Sequence, residues 1–125
     1  MRIEELNNGL LVAPLQITYN GLTITVENVA IDTGAVRSII HVDAVESLDI
    51  NPSPTDHITR MYGIGGEEFS FRKHIERVVF AGVSLHDISL DFGKIESING
   101  LIGLDILRAS SFVIDLEALE IYQKR

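Results

Sequence analysis

From Leu22 to Glu27 apolar and polar residues alternate strictly, as Leu22-Thr23-Ile24-Thr25-Val26-Glu27. A period of two puts every second side chain on one face, which is the pattern of a half-buried strand. The preceding run, Leu10 to Thr18, is apolar with polar interruptions, and Tyr19-Asn20-Gly21 separates the two. Asn-Gly accepts positive φ at both central turn positions, so the pair of runs predicts a β-hairpin. The second strand is expected to run on through Val29-Ala30-Ile31 and to stop at Asp32-Thr33-Gly34.

The rest of the chain reads in the same way. Ser38-Ile39-Ile40 predicts a short strand, and His41 to Leu48 a short helix with Asp43 near its start. Asn51-Pro52-Ser53-Pro54 is a loop, too short for a domain linker, so residues 1–125 are expected to form one domain. Ile58 to Tyr62 and Phe69 to Arg72 predict a hairpin around the glycine-rich tip Gly63-Ile64-Gly65-Gly66. Ile75 to Phe80 and Val83 to Phe92 predict strands joined at Ala81-Gly82, and Asn99-Gly100 is a second turn signal. Leu104 to Ala109 suits one or two helical turns, and Phe112 to Leu116 with Leu119 to Tyr122 a closing hairpin. The fold class expected is all-β with one or two short helices.

Composition narrows the function. With 125 residues, 46% hydrophobic and 22% charged, the chain is long and apolar enough for one hydrophobic core. A formal charge of -8 disfavours nucleic acid and anionic membranes, both of which need basic patches, and mildly favours neutral or basic partners. There is no cysteine, so disulfides, thiol catalysis and cysteine metal sites are excluded. The four histidines, His41, His57, His74 and His86, lack metal-ligand spacing, and no metal or cofactor is expected. No apolar run of about 18 residues and no signal-like segment is present, so a soluble, cytoplasmic protein is expected. Arg72-Lys73-His74 reads as a solvated face.

Asp32-Thr33-Gly34-Ala35 is the candidate for chemistry, because it places an acid at the end of an apolar strand and before another. An acid beside glycine is also an ordinary turn, and the triplet alone does not decide between the two. The glycines at 63, 65 and 66 would give a hairpin tip the backbone freedom to lie over a peptide. The same run serves as an ordinary turn. A phosphate-cradling loop is disfavoured by Glu67 and Glu68 and by the lack of a following Lys-Ser/Thr.

Taken with Ile31 before it, this segment resembles the active-site segment of the retropepsin-like aspartic proteases. Met61-Tyr62-Gly63-Ile64-Gly65-Gly66 is similar to the tip of their flap. Gly100-Leu101-Ile102-Gly103-Leu104-Asp105-Ile106-Leu107 is similar to their later strand-to-helix segment. The resemblance spans roughly Leu10 to Tyr122 with the motifs in the family's order. It implies a closed β-barrel with a flap hairpin, in which each chain supplies one aspartate and a homodimer supplies the pair. It implies Asp32, Thr33 and Gly34 as the catalytic segment, with Thr33 bonding across the dimer axis and Gly34 admitting the substrate backbone. Ala35, Gly63, Ile64, Gly65 and Gly66 would contact a peptide substrate, and the pH optimum would be acidic to mildly acidic. Asp105 is expected to be structural.

The chain departs from the retroviral pattern. Val36 and Arg37 stand where those enzymes carry acids, and Leu104 where they carry an arginine, so that ion pair is not kept. The segment from Asp43 to Pro54 is an insertion, and the C-terminal hairpin can pair with itself. Two functions therefore follow from the resemblance: a homodimeric aspartic endopeptidase, or an inactive module of the same fold that dimerises or binds peptide.

Overall fold

The computed structural model describes residues 1–63 and 66–124. After a two-residue strand β1 (Glu4–Glu5), the first predicted hairpin forms from β2 (Leu11–Tyr19) and β3 (Leu22–Ile31). Its register runs from Val12↔Ala30 to Tyr19↔Leu22. The turn residues Asn20 and Gly21 have φ of 50° and 77°, the left-handed values that made Asn-Gly legible. Strand β4 (Ile39–His41) leads into a kinked 3-10 helical segment, Val42–Leu48. His41 caps it, its Nδ1 accepting the Asp43 N–H at 3.1 Å, and Asp43 lies in the first turn, near the start as expected.

Next come β5 (Ile58–Gly63) and β6 (Gly66–Phe80), antiparallel from Ile58↔Phe71 to Gly63↔Gly66. The sequence suggested two strands over this second stretch, but β6 is continuous. Its inner half faces a second partner, β7 (Val83–Gly93), from Phe80↔Val83 to Phe71↔Phe92. Ala81 and Gly82 make that turn at φ 51° and 76°. Strand β8 (Gly100–Ile102), helix α1 (Leu104–Ala109), β9 (Phe112–Asp115) and β10 (Glu120–Gln123) complete the chain. As read from the sequence, β9 and β10 pair with each other. The N-terminal segment adds to the other edge of β10 through Ile121 N–H to Met1 O and Ile3 N–H to Leu119 O, both 2.8 Å.

The main sheet runs β1-β2-β3-β8-β4-β7-β6-β5, and β2 also pairs β6 through Gln16↔Val79, Ile17↔Val78 and Thr18↔Arg77. This pairing closes β2, β3, β8, β4, β7 and β6 into a barrel. Leu15, Ile17, Val29, Ile40, Ile75, Val78, Phe80, Leu90, Phe92 and Ile102 fill it, all fully buried. Side chains of this size contribute about 1.5–3 kcal/mol each when buried. Ile106 of α1 and Ile121 of β10 join the same core, so helix and terminal hairpin are packed onto the barrel.

One predicted turn is not a turn. Gly100 lies inside β8, and Asn99 is bonded on both sides: its N–H donates to Asn28 O, its O accepts from His41 N–H. Glycine is needed at 100 for close approach instead. A Cβ there would lie 2.8 Å from Ile39 O and 2.9 Å from Ile40 Cδ1.

Candidate active site

Asp32 follows the last residue of β3. Parallel pairing of β3 with β8 (Ile31↔Ile102) brings its N–H onto Ile102 O at 2.9 Å. The chain then turns tightly, with Ala35 N–H donating to Asp32 O at 3.2 Å. Gly34 N–H donates to Asp32 Oδ1 at 2.8 Å, which fixes the carboxyl while leaving the residue partly exposed. Thr33 and Gly34 are exposed, and Ala35 is half-buried. A carboxyl held by a backbone N–H at the rim of a rigid barrel is positioned to meet a ligand from solvent.

The turn is held from below by the start of α1. Leu104 N–H donates to Ala35 O at 2.8 Å, and Asp105 N–H to Val36 O at 3.2 Å. Gly103 allows this stacking. A Cβ at 103 would sit 2.7 Å from Ala35 O, 2.8 Å from Arg37 C and 2.9 Å from Arg37 O, all backbone atoms. Asp105 is structural, as expected. Its Oδ1 accepts the Ser38 hydroxyl at 2.7 Å, and both of its oxygens lie 3.0 Å from Ser38 N. Ser38 Oγ in turn accepts Gly103 N–H at 2.9 Å. Ser38 is fully buried, so this link joins two backbone segments without water.

A second cluster was misread from the sequence. Arg72 and Lys73 are not a solvated face. Arg72 Nε donates to Asp91 Oδ1 at 2.9 Å, and Lys73 Nζ lies 2.8 Å from Asp56 Oδ2, with side chains only 14% and 10% exposed. Lys73 holds the Asp56 carboxyl below its ordinary value, helped by the Ser53 N–H at 2.7 Å and against the opposing effect of desolvation. His74, paired with Asp87, is the most exposed of the three, at 62%. Asp91 also accepts Arg37 Nε at 3.2 Å on Oδ2 and Arg37 Nη2 at 3.3 Å on Oδ1. Arg37 Nη2 reaches Ser89 O at 3.2 Å as well. The available signal was Asp91 itself, an acid between the apolar Leu90 and Phe92. A buried acid needs a cationic partner, and the register puts Arg72 opposite it.

The predicted residues thus fall into two groups. Asp32, Thr33, Gly34 and Ala35 share one loop at the junction of β3, β8 and α1. Gly63 and Gly66 pair at the outer end of the β5–β6 ribbon. Ile64 and Gly65 lie outside the described residues.

Residues 15–106 match the family described as aspartyl protease. No curated protein sequence matches the chain. Among solved structures it is similar to a retropepsin-like aspartic protease from Rickettsia conorii, at 20% identity and a TM-score of 0.72, over 98% of this chain and 97% of that one. It is also similar to the retroviral protease-like domain of Ddi1 from Leishmania major, at 21% identity and a TM-score of 0.63, over 93% and 89% of the two chains. The EIAV protease, solved with the inhibitor HBY-793, matches at 20% identity and a TM-score of 0.57, over 79% of this chain and 86% of that one. At these identities the structural likeness is one of fold, and it is the fold expected from the sequence: an all-β, retropepsin-like closed barrel. With the match over residues 15–106, the chain belongs to the aspartyl protease family.

Proposed function

We propose that the chain is an aspartic endopeptidase in which Asp32 from each of two copies meets across a homodimer axis, and that residues 1–125 act as one protease domain. The observation that carries this reading is the Asp32 loop. It presents one carboxyl, fixed by the Gly34 N–H, at the rim of the barrel. The whole turn is braced by Gly103, Ser38 and Asp105. One chain offers a single acid there, so the chemistry needs a second copy.

Two carboxylates about 3 Å apart cannot both ionise and share one proton. The ionised member takes a proton from water, whose oxygen attacks the peptide carbonyl carbon. The protonated member hydrogen-bonds the carbonyl oxygen, and a proton then passes to the leaving amine as the C–N bond breaks. In this reading Thr33 bonds across the axis, Gly34 and Ala35 admit the substrate backbone, and the β5–β6 ribbon with Gly63, Ile64, Gly65 and Gly66 is the flap. The substrate is a peptide or protein, and no metal or cofactor takes part.

The test is cleavage of a peptide pool between about pH 3.5 and 7, with Asp32→Asn as the comparison and sedimentation to give the oligomeric state. Product from the wild type alone, with a dimer in solution, is the expected result. If wild type and Asp32→Asn give the same output, the reading fails. Peptide binding without product would make the chain a binding module of this fold.

A further inference from the structure

Strand register defines what shares a face with Asp32. Ala30 pairs Leu101, Leu101 pairs Ile39, Ile39 pairs Asp91, and Asp91 pairs Arg72. These residues form one row across β3, β8, β4, β7 and β6, with their side chains on one face of the sheet. Asp32 lies two positions beyond Ala30 and continues that face. The next row, Val29, Gly100, Ile40 and Phe92, faces the core instead.

At the far end of the row two guanidinium groups share one carboxylate. Arg37 and Arg72 both bond Asp91, so one positive charge is left uncompensated within the cluster. Asp105, which lines a small cavity with Arg37, has its carboxylate engaged by Ser38 and the Ile106 N–H instead. The Arg37 and Arg72 side chains are 33% and 30% exposed, while that of Asp91 is 12%. The anion is covered and the cations reach solvent. Arg37 also belongs to the segment that carries Asp32, only five positions on.

We propose that Arg37, steadied by Asp91 and supported by Arg72, is a specificity-determining residue that takes an acidic side chain, Glu or Asp, of a bound peptide. A guanidinium presents N–H donors in a planar fork that matches a carboxylate, and Asp91 pre-orients that fork. The chain as a whole is acidic, which works against an anionic ligand. That repulsion is screened over about 8 Å at physiological salt, and direct contact with Arg37 is not.

This inference rests on the reading that a peptide lies over Asp32, so the test separates the two. Fluorescent peptides identical except for Glu, Gln or Lys at one position, moved along the sequence, are titrated against Asp32→Asn protein and offered to the wild type for cleavage. At one position the Glu peptide is expected to bind about fivefold more tightly than Gln, and more tightly still than Lys, the scale of a partly exposed ion pair. Arg37→Gln should bring the Glu-to-Gln ratio near one, and Arg37→Lys should restore part of it. Asp91→Asn keeps the shape but removes the competing charge, and should raise the ratio. A role confined to holding the loop predicts no rise. A flat ratio at every position, a preference for Lys, no binding of any peptide, or a ratio unmoved by Arg37→Gln would overturn the proposal. Binding with this charge preference but no cleavage by the wild type would leave the proposal standing and sink the catalytic reading.

Discussion

Between Asp32 and Ser38 the chain is bonded again and again to residues remote in sequence: Ile102, Leu104, Asp105 and, through Arg37, Asp91. The outer half of the β5–β6 ribbon contrasts with it in strand pairing. Beyond Phe71↔Phe92 the register of β6 with β7 ends, and among the described residues β5 pairs with β6 alone. Ile58 and Phe69 on the ribbon are 51% and 52% exposed. A two-stranded ribbon is marginal in water unless something covers it, whereas the Asp32 loop is held on several sides. The acid is placed by the core, and the ribbon is left with a free apolar surface for whatever lies beneath or beside it. Substitutions on the two sides should therefore differ sharply in cost.

The largest effect is expected at Gly103. Gly103→Ala must displace backbone at Ala35 and Arg37, since no flexible side chain is available to yield. Chemical denaturation should show a loss of about 3 kcal/mol, the upper range for overpacking. A loss under about 1 kcal/mol would mean that the loop is looser than its bonds imply.

Asp105→Ala comes next. It leaves the Ser38 N–H and hydroxyl without their acceptor in a fully buried place. The expected cost is about 2–3 kcal/mol by the same measurement. Asp105→Asn, which keeps an oxygen for Ser38, should cost less.

The Lys73–Asp56 pair sits where β6 passes from barrel to ribbon, and its effect depends on pH. The Asp56 carboxyl is held below its ordinary value of 3.8, chiefly by Lys73. A carboxyl depressed in the folded state adds stability above its unfolded value, and that stability is lost as pH falls through the folded value. Asp56→Asn should therefore be less stable than wild type at pH 5–7, with the two converging as pH drops below 3.8. A gap that is constant across the titration would assign the loss to packing.

The smallest effect belongs to the ribbon. Phe69→Ala removes an exposed ring over which Arg60 lies at 5.6 Å. The expected change in global stability is under about 1 kcal/mol. A larger loss would show that the ribbon is tied into the barrel's cooperative unit, and the contrast with the loop would fail.

How much of this was legible in the sequence follows from the range of the forces involved. The turns at Asn20-Gly21 and Ala81-Gly82 were readable because positive φ is a local demand. The strands were readable from their period. Gly100 was misread because the same residue also serves close approach, which depends on Ile39 and Ile40 some sixty positions earlier. Asp105 was expected to be structural from the resemblance, but nothing local announces that it meets Ser38 in the interior 67 positions apart. Arg37, Asp91 and Arg72 were scattered over three segments, and only the register of β4, β7 and β6 gathers them. The Asp32 segment was legible as a motif, while its supports were not.

The placement of those supports sets an order of events during synthesis. The Asp32 loop leaves the ribosome about seventy residues before its acceptor Ile102, its spacer Gly103 and its brace Asp105. A nascent polypeptide that ends before them has the acid and no platform for it. Parallel pairing of β3 with β8 spans most of the chain and is slow to form for the same reason. The Asp32 platform is thus completed only once Asp105 has been made, and a nascent chain that stops short of it carries its Asp-Thr-Gly segment without the loop that holds it.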